Sequence, residues 1–107
     1  MIGYKGFNSD LICRNFQYEI GKTYITDQVK LCEKGFHFCQ YPNDVFRYYD
    51  SYHDKYALVR AQGTIISDDH KSVTNNITIL KLLTKQQLIE YSETEWRMKN
   101  YVAPTQW

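Results

Sequence analysis

The chain of 107 residues has no long apolar run, no surplus of one charge and few cysteines. Without such a run no transmembrane helix is expected. The 13 basic and 12 acidic residues leave a net charge of +1. That balance lacks the electrostatic footprint of a high-affinity binder of DNA, RNA or anionic lipid. There is no Gly-rich phosphate loop, no Ser-His-Asp arrangement and no HExxH, so the common signatures of nucleotide hydrolysis and zinc proteolysis are missing. The start, Met1 to Gly6, has no basic-then-apolar leader. With an odd count of 3 cysteines, this predicts reduced thiols and a cytoplasmic location. Repeats and low-complexity segments are absent.

What is present fits one small soluble domain. Hydrophobic residues make up 43% and charged residues 23%, too apolar for a disordered tail. The chain is too short for two independent cores, so residues 1–107 are expected to form a single domain. Its core is expected over 2–90, with a C-terminal helix or tail over 91–107. Tyrosine is abundant, with 10 residues. It either fills a small core in place of leucine or serves an interface.

Alternation and turn chemistry predict the elements. Residues 2–7 read as a first strand and 11–20 as extended chain. Thr23–Thr26 is a short β-prone run, and Phe36–Cys39 a strand after the Lys34-Gly35 breaker. Pro42, Asn43 and Asp44 open a helix whose buried face is Val45, Tyr48, Tyr49 and Tyr52. Residues 56–66 and 73–83 are strands, with Gly63 as a bulge and 67–71 as a polar loop. Thr84 and Gln87 form a capping box for a last helix. The order predicts an α+β fold.

Four groups of residues carry candidate chemistry. Lys5 lies beside Gly6, which lets a ligand approach the backbone; the alternative is an outward lysine guarding a sheet edge. His37 alternates with Phe36 and Phe38, so it faces a cleft or solvent when they face the core. There it could act as acid, base or stacking platform. Cys32, His37 and Cys39, with Cys13, have a zinc-like donor set but no Cys-x-x-Cys spacing, so no metal is expected. Asp68, Asp69 and His70 could bind a cation or orient a hydroxyl, or simply make a solvated turn. Glu90, Glu93 and Glu95, with Arg97 and Lys99, read as a charge-balanced helix edge.

The order of GYKGF, IGKTY, KGFHFC, PNDVFRYY, YALVRAQGTIISDD and VTNNITILKLL resembles the small ADP-ribosyltransferase fold, the rifampin ADP-ribosyltransferases in particular. The GYKGF and EKGFHFC segments also resemble a family of short uncharacterised phage and bacterial domains. The first resemblance implies a transferase-like sheet core with a central and a C-terminal helix. It implies NAD as cofactor, with Lys5, His37 and Asp69 as catalytic residues and Tyr4, Gly6 and Asp68 as cofactor contacts. Asp68 and Asp69 remain alternatives for the acid, since a one-residue shift exchanges their faces. Lys5 stands where that family has histidine or arginine, and His37 where it has tyrosine or serine. The favoured expectation is therefore a cytoplasmic protein-interaction module without cofactor. Such a module would be a phage-encoded inhibitor of a host defence, anti-CRISPR-like, or of a metabolic factor, with a host protein as partner. The alternative is an active NAD-dependent ADP-ribosyltransferase. A nucleotide binder that stacks its base on His37 and tyrosines is a third reading.

Overall fold

A computed structural model describes residues 1–30, 34–48 and 55–100, the helix side chains from 94 onward excepted. Seven strands, β1 (Ile2–Phe7), β2 (Ile12–Cys13), β3 (Phe16–Gln17), β4 (Thr23–Ile25), β5 (Phe36–Phe38), β6 (Lys55–Ser67) and β7 (Ser72–Leu83), precede helix α1 (Lys85–Asn100). A 3-10 helix, Pro42–Arg47, follows β5. The small, mostly antiparallel sheet with few helices is the α+β class the sequence predicts.

The two long strands organise the sheet. β6 pairs β1 on one side and β7 on the other, both antiparallel. β7 takes β4 along Ile77 and β5 along Val73. β5 then reaches back to β1, where Tyr4 and Cys39 exchange backbone hydrogen bonds of 2.8 and 2.7 Å. A strand that touches both ends of the β1–β6–β7 run curls that run into a closed turn. Two irregularities in the β6–β7 register allow the bend, one at Leu58/Val59 and one across Gln62/Ile65. The second is the bulge expected at Gly63, whose φ is +70°.

The curl makes two apolar layers. Phe7, Tyr18, Phe36, Phe38, Val59, Ile77 and Ile79 fill the larger one. Tyr4, Cys39, Val45, Tyr56, Leu83 and Leu88 fill the one under α1. Among the described tyrosines Tyr4, Tyr18 and Tyr56 serve the core. Tyr18 also packs edge-on to Phe7 and Tyr24. The capping box forms as read. Thr84 Oγ1 accepts the Gln87 amide at 3.0 Å, and Gln87 Oε1 accepts the Thr84 amide at 2.9 Å.

Three expectations are corrected. The central helix is a six-residue 3-10 helix, not an α-helix with a tyrosine stripe. It ends at Arg47 with Tyr48 as its C-cap, and Tyr48 is exposed. Tyr49 and Tyr52 lie outside the described residues. The extended segment 11–20 is a β2–β3 hairpin whose tip is Arg14-Asn15. Lys5 is not an outward edge residue but is buried, at 1% exposure. The pleat explains this: Lys5 shares its face with Phe7, two residues on, and Phe7 is fully buried. Cys32 and the tail 101–107 lie outside the described residues, and α1 starts at Lys85, ahead of the expected C-terminal segment.

Candidate functional site

A cleft of about 350 Å³ opens where β1, the β2–β3 hairpin and β5 meet. Lys5, Cys13, Arg14 and His37 line it, with Tyr48 and Lys71 also on its walls. A smaller cavity of about 190 Å³ adjoins it and shares those first four residues. The four side chains are therefore a partition between two spaces. Such a volume is at the small end of ligand pockets, which run from roughly 300 to 1,000 Å³.

Local sequence builds each wall. Asn8 follows β1 and its Oδ1 accepts the amides of Asp10 and Ile12, at 2.9 and 3.0 Å, which turns the chain into β2. Arg14 and Asn15 then take φ of +52° and +65°. Two consecutive left-handed residues make a type I′ turn, the hairpin turn that matches strand twist. Asparagine suits that conformation and arginine does not, so Arg14 carries strain of about 1 kcal/mol or more. The strained turn holds its guanidinium against His37. Arg14 Nη1 is 3.2 Å from both ring nitrogens. A nitrogen equidistant from Nδ1 and Nε2 follows neither lone pair, so the contact is a guanidinium lying over the imidazole rather than an in-plane hydrogen bond.

Burial dominates the electrostatics at the partition. Lys5 Nζ donates to the His37 carbonyl and lies 5.1 Å from the Tyr18 ring centre and 5.8 Å from that of Phe7. Cys13 is hydrogen-bonded to the same amine. Burial pushes the Lys5 pKa below the ordinary lysine range, Arg14 adds to that, and Cys13 opposes it. His37 is pushed down to about 4, first by burial and then by Arg14, Lys5 and Lys71. Burial raises the Cys39 thiol to about 12, so it stays protonated. At neutral pH the site holds a neutral imidazole among cationic groups.

The His37 shift has a testable consequence. Between pH 6.5 and 4 the unfolded chain takes up a proton that the folded protein refuses. Stability therefore falls as pH drops through that window, by about 3 kcal/mol at most. Urea unfolding of His37→Gln beside the parent chain is expected to show a flatter pH profile there. Identical profiles would place the titration elsewhere.

The residues singled out from the sequence divide. Tyr4, Lys5 and His37 line the cleft together; Gly6, Asp68 and Asp69 do not. Asp68 Oδ1 accepts the amides of His70 and Lys71, both at 2.8 Å, which is the solvated-turn reading of that loop. No group of three His, Cys, Asp or Glu side chains suited to a metal occurs among the described residues. Glu90 and Glu93 are exposed on α1, and the side chains of Glu95, Arg97 and Lys99 are outside the described set. Sequence reading missed Arg14 and Lys71. The one signal for Arg14 was Asn15 beside it, a good left-handed residue inside an alternating run. Lys71 is far along the chain from Lys5, Arg14 and His37, and the β5–β7 pairing brings it in.

Among the described residues no helix is long and apolar enough to cross a membrane. A family model described as "Domain of unknown function (DUF7666)" matches residues 1–91. No curated protein and no solved structure matches the chain.

Proposed function

We propose, for a chain that belongs to the family "Domain of unknown function (DUF7666)", that its cleft binds a small anionic molecule. One observation carries this reading. Lys5, Arg14 and Lys71 line the cleft, and among the described residues no aspartate or glutamate does, in a protein whose net charge is only +1. Two described acids make contacts of their own: Asp44 contacts Arg47 at 3.2 Å and His70 at 3.4 Å, and Asp68 holds its own loop. Low-dielectric walls strengthen the Arg14 and Lys71 cations toward an anion, and the Lys5 amine between them can donate a hydrogen bond to it. Arg14 offers a planar donor fork for phosphate or carboxylate. Calorimetric titration with pyrophosphate tests this. The parent chain is expected to bind it with 1:1 stoichiometry and Arg14→Ala at least tenfold more weakly. Lys22→Ala, at an exposed residue paired with Glu19, is expected to match the parent. Equal affinity for Arg14→Ala would contradict the reading.

Active NAD-dependent ADP-ribosyl transfer is the second reading, and the meeting of Lys5 and His37 in one cleft favours it. It also needs Asp69 to act on the ribose, although Asp69 is outside the lining. NAD binding that is lost in Asp69→Ala would support it; NAD binding unaffected by that change would sink it. The third proposal, an inhibitor that docks on a host protein, draws on exposed tyrosine. Among the described tyrosines Tyr41 and Tyr48 are the exposed ones, and Tyr48 borders the cleft.

A further inference from the structure

We infer that Lys5 is an amine nucleophile that forms an imine with a small anionic aldehyde or ketone seated in the cleft. This rests on the anion-binding reading and names its ligand class. Three structural observations carry it. Lys5 belongs to the wall shared by both cavities, so the side chain borders a space where a ligand can sit. No described carboxylate is at ion-pair distance from it; its neighbours are a carbonyl oxygen, a thiol and two aromatic rings. A lysine held this way among apolar groups and beside another cation is shifted toward the free amine, the form that attacks carbonyl carbon. The lowered pKa of Lys5 agrees with this placement. Arg14 and Lys71 on the same walls supply the seat for a carboxylate or phosphate on that carbonyl compound.

The step balances without a further reagent. The Lys5 nitrogen lone pair adds to the carbonyl carbon, and the C=O π pair moves to oxygen. The two protons released from nitrogen end on that oxygen. It departs as water, leaving a C=N bond. Nothing is oxidised or reduced. Cys39 does not compete as a thiolate, because its thiol stays protonated.

The test is reductive trapping at neutral pH with glyoxylate and cyanoborohydride, followed by peptide mapping. Lys5 is expected to be alkylated at least tenfold faster than the exposed Lys22, and excess pyrophosphate is expected to suppress it. The parent chain is expected to trap glyoxylate at Lys5 faster than neutral acetaldehyde, and Arg14→Ala, which keeps Lys5, is expected to lose that preference. Trapping at Lys5 no faster than at Lys22 would overturn the inference. If pyrophosphate still binds in that case, only the imine fails. If pyrophosphate does not bind either, the anion-binding reading fails with it.

Discussion

Lys5→Met is expected to leave the protein folded, raise its melting temperature by several degrees and remove the fast, pyrophosphate-sensitive part of its reactivity toward carbonyl compounds. The magnitudes decide the sign. Keeping an amine away from water costs several kcal/mol, and no described carboxylate offsets it. Losing its donation to the His37 carbonyl costs about 1–2 kcal/mol. Methionine keeps the length of the stem and places a polarisable sulfur among the Tyr18 and Phe7 rings. The net gain is then about 1–3 kcal/mol. Lys5→Ala differs, because it leaves a void at a fully buried position and is expected to cost about 2–4 kcal/mol. The gain for methionine is also pH-dependent. With the Lys5 pKa lowered, the parent chain gains stability as pH rises toward the ordinary lysine value of 10.5, so the difference is largest at low pH. Thermal unfolding of both variants checks this; a methionine variant as unstable as the alanine one would mean that the amine stabilises the fold. A residue that lowers stability where it lines a cleft is what a functional group looks like.

Gly35→Ala is expected to cost about 3 kcal/mol, enough to lower the unfolding midpoint sharply. Gly35 enters β5 at φ +102°, where side chains are strained. A Cβ there would lie 2.7 Å from Val73 Cγ2 and 2.9 Å from the Thr74 carbonyl oxygen. The backbone contact cannot yield without loosening the β5–β7 pairing, which is also what places His37. Gly21 separates the two causes. Its φ is +87°, but nothing lies within 4 Å of its Cβ position. Gly21→Ala therefore carries the conformational cost alone, about 1 kcal/mol. Denaturant midpoints of the two variants measure the difference; equal losses would mean that the close approach at β5 does not matter.

Much of the fold could be read from local pattern. Alternation and β-prone composition marked β1, β5, β6 and β7, and His37 lines the cleft, one of the two places its alternation with Phe36 and Phe38 allowed. The Thr84–Gln87 cap was legible because both partners are three residues apart. What was not legible depended on distant pairing. The inward turn of Lys5 follows from Phe7 being core, yet composition alone favours an outward lysine on an edge strand. The Tyr4–Cys39 bridge that curls the sheet joins residues that no local signal connects. Arg14 was read as one position of an extended run because arginine is a poor residue for a type I′ turn. The candidate site was thus half visible: Lys5 and His37 were identified, and the two cations that complete it were supplied by a strained hairpin and a loop beside β7.

The central claim is that the cleft at the β1–β5 junction is an anion site. Its most direct test is titration of the isotopically labelled protein with pyrophosphate, followed by amide chemical shifts. Saturable shifts that centre on Arg14, His37 and Lys71, and that leave Lys22 and Lys85 unmoved, are the result expected. No saturable shift, or shifts spread evenly over the exposed lysines, would contradict it.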